Sequence, residues 1–308
     1  TPLAFLAVIL SALLIGCGAA SPEAGVAGLE SLYRWEYATG DYIRGAPALV
    51  GQTLYIGSDD NALHAFSSET GQRLWLYPTN DNVSARPVGL GELVCFGGWD
   101  GVLRCLHPSD GALAWEYEAL GPIQADLATD AEGNVIYLAD GAGWVHAVSP
   151  AGEVLWRYRC GGGVSARPVM SGELLLVGTL DGYLYALNVE DGTLAWRFRT
   201  RGDIVGAPAL AGDTVFLASC GRSLHALDLA TGAERWSRDI GSAVESEVAH
   251  GAGRLYLGTN DGRIIALDAR NGRTLWEHRA GDAVRGGPAL WRSVVFMGSD
   301  DHHLYALD

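Results

Sequence analysis

Histidine has the widest chemical reach of the residues in this chain, and His64, His146 and His225 recur at one equivalent point of an internal repeat. A neutral imidazole ligates transition metals and exchanges protons near neutral pH. Equivalent points on separate repeats diverge, however, when the repeats surround an axis, and they cannot converge to the ~2.0–2.1 Å bonds of one metal centre. Tyr185 and Tyr305 fill the same slot. A position that takes His and Tyr alike reads as packing between neighbouring sheets with a polar tip. His302 and His303 follow Asp300 and Asp301, but adjacent strand residues point to opposite faces, so these four residues read as an exposed turn, as do Asp59 and Asp60.

The run Cys160-Gly161-Gly162-Gly163 has the glycines of a phosphate cradle. It lacks the following Lys-Ser/Thr and any helix whose N-terminus could meet an anion, so it reads as a loop between strands. G-x-S-x-G is absent and no Ser-His-Asp arrangement can be read. Beyond Cys17 the cysteines are Cys95, Cys105, Cys160 and Cys220, with no CxxC pair. Cys95 and Cys105 fall on neighbouring strands of one hairpin, where the inferred register sets them on opposite faces. Buried thiols are therefore expected, while a disulfide stays open in an oxidising compartment. No catalytic, cofactor-binding or metal residue is assigned, and no cofactor is expected.

Charge narrows the partners. The 308 residues carry 21 Lys plus Arg against 36 Asp plus Glu, a net −15 that repels phosphate backbones and anionic lipid. With 48% apolar residues the chain can bury a large core. Residues 1–16 are almost wholly apolar but shorter than the roughly 20 residues of a membrane span, and read as a signal peptide. They carry neither an initiator Met nor a basic leading region, so the signal is expected to begin upstream. Leu14-Ile15-Gly16-Cys17 resembles a bacterial lipobox, which makes Cys17 the expected lipidation site and residues 17–31 a tether before a folded domain at 32–308. Gly18 stands where an inner-membrane retention signal would place Asp, which points to the outer membrane of a cell that has two.

The elements that must position these residues come from a repeat. Trp35, Trp75, Trp115, Trp156, Trp196, Trp236 and Trp276 are spaced 40, 40, 41, 40, 40 and 40 apart. Between them lie short runs rich in Val, Ile, Leu and Tyr, bounded by Asp-Gly and Thr-Gly turns, a pattern of four strands per unit. One such sheet cannot bury both faces alone, so the units must stack around an axis. The B-to-C hairpins near Gly57, Gly97, Ala139, Gly178, Ala218, Gly258 and Gly298 count seven blades. The last unit stops before its Trp strand, and Leu32-Tyr33-Arg34-Trp35-Glu36-Tyr37 has that strand's sequence. The expectation is an all-β, seven-bladed β-propeller of four-stranded antiparallel blades, its ring closed by this N-terminal strand.

The phrase carried by Ser165-Ala166-Arg167-Pro168-Val169, Asp181-Gly182-Tyr183-Leu184-Tyr185-Ala186-Leu187, Asp191-Gly192 and Trp196 resembles the PQQ-like propeller repeat, across residues 32–308. The resemblance implies that the seven Trp dock blade on blade. It includes quinoprotein dehydrogenases, whose vicinal cysteine pair and catalytic Asp find no counterpart here. It also includes lipoproteins of outer-membrane assembly, the BamB-like branch, which join a lipobox to a propeller and act as scaffolds. Those propellers have eight blades where seven are counted here.

What remains for function is the axial face. The first strand of each unit is expected to begin at Ile43, Val83, Ile123, Val164, Ile204, Val244 and Val284. Arg44, Arg86, Gln124, Asp126, Arg167, Glu245, Glu247 and Arg285 follow these starts, where a purely structural repeat would keep small residues. Tyr42, Trp99, Arg201 and Asp203 join them from loops on the same face. Two readings stand side by side: a recognition surface at a funnel mouth, or a solvated channel whose Arg and Glu pair across blades. The expected function is a non-catalytic, monomeric, lipid-anchored scaffold that binds a protein of the cell envelope and no nucleic acid. A quinoprotein dehydrogenase and a propeller that captures a small ligand or polysaccharide are the alternatives.

Overall fold

The computed structural model describes residues 34–130 and 132–308. The signal stretch, Cys17, the tether and residues 32–33 lie outside the described residues. Every regular element described is a β-strand. Seven sheets follow one another along the chain, each a meander of consecutive antiparallel strands, and the fold is that of a seven-bladed β-propeller. Blade 5 shows the plan: Ala209–Ala211, Thr214–Ala218, Ser223–Asp228 and Glu234–Asp239, from inner to outer strand. Residues through Gln124, with blades 1 and 2, form one compact unit, and residues from Ala125, with blades 3 to 7, form a second.

Burial explains the strand sequences. The second and third strands are packed on both faces, so they are continuous apolar runs such as Leu174–Gly178 rather than alternating ones. Outer strands alternate, and in Leu194–Arg199 the Trp196 ring is buried while Arg197 is exposed.

Two devices join successive blades. Docking indoles lie on glycine turns 36 residues on: Trp75 on Gly111, Trp156 on Gly192, Trp196 on Gly232 and Trp236 on Gly272. In three of them Nε1 donates to a carbonyl 33 residues on: Trp75 to Pro108 at 2.9 Å, Trp156 to Val189 at 2.8 Å and Trp196 to Leu229 at 2.9 Å. In the second device, the Val or Ile that precedes each inner strand packs beside the end of the previous blade's second strand. The N–H groups of Val83, Ile123, Val164, Ile204, Val244 and Val284 donate there at 3.0–3.3 Å to Ser58, Gly98, Asp140, Thr179, Ser219 and Thr259.

Three expectations change. Ile43 and its equivalents do not start strands: the inner strands begin five residues later, at Ala48, Val88, Ala128, Val169, Ala209, Ala249 and Ala289. The intervening residues are irregular crossovers, and from Val83 on the leading N–H of each bonds to the preceding blade instead of to a strand partner. The strand expected at residues 32–37 is not formed over its described part. Arg34–Tyr37 carry no strand, and the seventh sheet has three, Ala289–Trp291, Val294–Gly298 and Leu304–Leu307. Trp35 still makes the docking contacts of the set, on Gly71 and from Nε1 to the Ser68 carbonyl at 3.4 Å. The third change is a disulfide between Cys95 and Cys105. In Leu93–Gly97 and Val102–Leu106 these two residues are direct partners on one face, so the inferred register was off.

Candidate functional site

At one end of blades 1, 2, 4, 5, 6 and 7 the crossover and the turn between the second and third strands are tied together by the backbone. Turn N–H groups donate to crossover carbonyls at 2.8–3.0 Å, from Asp59 to Tyr42, Trp99 to Asn82, Leu180 to Gly163, Cys220 to Asp203, Asn260 to Ala243 and Asp300 to Ala283. Side chains repeat the tie at a spacing of 15. Arg44 meets Asp59 at 2.6 Å, the Trp99 indole donates to Ser84 Oγ at 2.7 Å, Asn260 donates to Glu245 at 2.6 Å, and Arg285 meets Asp300. Loops held at two levels present their outer groups in fixed positions.

In the first unit Tyr42 is 58% exposed, with the Arg44 guanidinium 5.4 Å over its ring. Trp99 is exposed on the blade 2 turn, and Arg86 is exposed on the crossover that precedes that blade's inner strand. In the second unit Asp126 is half-buried on its crossover. Arg167 reaches Glu247 at 3.6 Å across blade 5, where the small Ala207 occupies the intervening place. Arg285 bridges Glu245 at 3.2 Å and Asp300, so these axial charges pair across blades. Arg201 and Asp203 are exposed and line a cavity of about 560 Å³ with Asp181, Arg199, Thr200 and Gly202. Neither forms an ion pair among the described residues.

Repeat and propeller coincide with one family. The profile described as Outer membrane protein assembly factor BamB matches residues 32–133 and 99–308. The chain belongs to the BamB family. BamB from Moraxella catarrhalis has the same fold, with a TM-score of 0.78 over 88% of this chain and 87% of that one at 17% identity. A computationally designed protein, Ika8, gives 0.75 over 86% and 83%, also at 17% identity. No curated protein sequence matches the chain. A natural and a designed propeller are thus equally near in sequence, and at that distance likeness speaks for fold alone.

The buried histidines of this BamB-family propeller each have their own partner. His64 meets Asp60 at 3.0 Å and His146 meets Asp140 at 3.2 Å, while Arg104 fills the slot in blade 2 and grips Asp100 at 2.7 and 3.1 Å. In blade 7 the Tyr305 hydroxyl donates to Asp301 at 2.7 Å. The turn carboxylates also accept crossover N–H groups, from Gly40 to Asp60 at 2.8 Å, Asn80 to Asp100 at 3.3 Å and Gly281 to Asp301 at 2.6 Å.

These contacts set a pH dependence. Burial works to raise the Asp60 and Asp100 carboxyls, but the Gly40 N–H with His64, and Arg104, outweigh it and hold both below their ordinary value of 3.8. At the surface, Arg235 holds Asp213 and Arg270 holds Asp268 down to about 2. A carboxyl with a depressed folded pKa stabilises the fold above its unfolded pKa and loses that contribution as pH falls through the folded one. Stability followed by circular dichroism is expected to be level from pH 7 to about 5 and to fall between about 4 and 2, with a shallower fall for Asp100→Asn. A rise in stability from pH 5 to 3 would contradict the assignment.

Blade 5 breaks the pattern. Gly221 stands where blades 1, 2, 4, 6 and 7 place the turn carboxylate. His225 takes its acid from the outer strand instead: Nδ1 lies 2.8 Å from Glu234 Oε2, and Nε2 lies 2.8 Å from Ser223 Oγ. Ser219 Oγ adds a contact to Ser223 at 3.3 Å and Ser237 donates to Glu234 at 2.9 Å. Motif reading missed this Ser-His-Glu line because its members come from two strands. The available signal was Glu234 itself, at a place held by Arg73, Leu113, Val154, Leu194 and Thr274 in other blades.

Proposed function

We propose that the chain is a lipid-anchored, extracytoplasmic scaffold that binds a protein of the cell envelope, in the service of outer-membrane protein assembly. Cys17 carries the anchor, and the partner docks on crossovers and turns that bear, in the first unit, Tyr42, Arg44, Arg86 and Trp99 and, in the second, Asp126, Arg167, Arg201, Asp203, Glu245, Glu247 and Arg285. The observation that carries this reading is Trp99, a large aromatic held outward on a turn fixed to its crossover by both backbone and side chain. Rigidly presented Trp and Arg are the residues on which protein interfaces concentrate their energy. Membership of the BamB family supports the envelope setting. The Cys95–Cys105 bond supports a compartment outside the reducing cytoplasm.

Capture of the partner from solubilised membranes tests the surface. Trp99→Ala is expected to lower recovery at limiting concentration by about 30-fold, the effect of a hot-spot residue worth about 2 kcal/mol. Arg167→Glu sets two acids together and is expected to lower recovery as well. The double variant Arg167→Glu/Glu247→Arg restores the ion pair with the signs exchanged. If recovery returns with it, the pair serves the propeller; continued loss places recognition on the charges themselves. Unchanged recovery for all three variants would remove this face from the proposal.

A further inference from the structure

We propose that Ser223 in blade 5 is an activated nucleophile that accepts an acyl group from carboxylic esters, with His225 as its base and Glu234 as the residue that positions the base. This goes beyond the scaffold reading and does not rest on it.

The geometry has the order that nucleophilic serine chemistry needs. Glu234 at 2.8 Å accepts the Nδ1 proton of His225, which leaves Nε2 as a lone pair aimed at Ser223 Oγ, also at 2.8 Å. The imidazole is held in place: His225 is 9% exposed, and the Phe198 ring of blade 4 stands edge-on to it at 5.1 Å. Ser223, two residues nearer the funnel face and on the same side of the strand, is partly exposed. The base is thus shielded while the hydroxyl is within reach of solvent.

The surrounding turn departs from the repeat in the direction this chemistry requires. Ser58 and Ser299, the counterparts of Ser219, use their hydroxyls to accept the N–H of the following turn carboxylate residue, Asp60 and Asp301. In blade 5 that residue is Gly221. Ser219 turns to Ser223 instead, and the Gly221 N–H has no acceptor among the described residues. A free backbone N–H two residues before the nucleophile is a donor for a developing oxyanion. Two residues unique to this blade, Ser223 and Glu234, thus meet at one histidine, and a third, Gly221, lies two residues before Ser223. The counterpart His64 meets Asp60 through Nε2 and leaves a buried Nδ1 without a partner, whereas His225 engages both ring nitrogens.

The step balances without a further reactant. Ser223 Oγ bonds to the ester carbonyl carbon as its proton passes to His225 Nε2, and the carbonyl π pair becomes an oxyanion facing the Gly221 N–H. Collapse expels the alkoxide, which leaves as the alcohol with the proton from Nε2. Water then attacks the acyl-serine with His225 again as base, releasing the carboxylic acid and restoring Ser223.

The test uses the full chain with a fluorophosphonate, which forms an Oγ–P bond with loss of fluoride, and with p-nitrophenyl acetate. One adduct is expected by intact mass and peptide mapping, on Ser223, with none on Ser223→Ala. His225→Gln is expected to slow labelling about 100-fold. In Glu234→Gln the imidazolium loses its neighbouring anion, so labelling slows and its rise with pH shifts to lower pH, a change that a packing role would not produce. Circular dichroism confirms that each variant is folded. Absence of an adduct on the folded wild type, labelling undiminished in Ser223→Ala, or a Glu234→Gln profile identical to wild type would each overturn the proposal.

Discussion

Trp196→Ala is expected to lower the stability of the propeller by about 3–5 kcal/mol, the range for removal of a buried aromatic ring. Trp196 is 8% exposed, rests on the Gly232 turn, and donates to the Leu229 carbonyl at 2.9 Å. Truncation therefore opens a cavity between blades 4 and 5 and leaves that carbonyl without its indole donor. Gly232 makes the complementary case, because its φ is +70° and an added Cβ would fall 2.5 Å from an indole carbon. Gly232→Ala combines left-handed backbone strain of about 1–2 kcal/mol with overpacking of about 1–3 kcal/mol. In the double variant the overpacking disappears with the ring and only the backbone strain remains, so the two effects are expected to be less than additive. Urea unfolding of the four proteins measures this. Additive losses would show that the indole and the turn do not touch in solution, and the account of how blades join would fail with them.

The same residues show what a sequence of this kind reveals. The 40-residue beat of Trp196 and its counterparts is visible without coordinates because each copy must solve the same docking problem with the same indole and the same glycine. The fold was legible for that reason. Details that depend on local hydrogen-bond competition were not. Val164 looks like the first residue of a strand, yet its N–H bonds to Asp140 of the preceding blade, and pairing begins only at Val169. Leu32–Tyr37 has the composition of an outer strand, but composition does not specify a partner, and Arg34–Tyr37 form none. On the funnel face the repeat identified positions such as Arg167 and Glu245 but not their pairing, since Arg167 selects Glu247 two blades away. His225 was read as one of three equivalent histidines. Its difference lies in Glu234, which the repeat aligns with exposed residues of no fixed type.

The other large effect belongs to blade 2. Cys95 and Cys105 are fully buried, directly opposed and joined, and the bond closes a short loop with a sequence separation of 10. Constraining so short a loop in the unfolded chain stabilises the fold by about 3 kcal/mol in the chain-entropy account. Cys95→Ala/Cys105→Ala is therefore expected to lower stability by at least about that amount, the loss of buried sulfur adding to it. Alkylation of the denatured, unreduced chain checks the premise: Cys160 and Cys220 should react and Cys95 and Cys105 only after reduction. In the folded protein Cys160 should stay unmodified, because burial pushes its thiol up to about 12, where little thiolate forms near neutral pH. The bond also bears on the proposed docking surface. It lies two residue pairs below the hairpin end, where Gly97 faces Leu103, and the turn beyond carries Trp99. A slip of one residue in this register would turn every side chain of the hairpin to the opposite face and lift the indole from Ser84. The double Ala variant, kept below its unfolding temperature, is thus expected to capture less partner as well as to unfold sooner. Full capture by that variant would show that Ser84 and the backbone tie to Asn82 hold Trp99 in place without the disulfide.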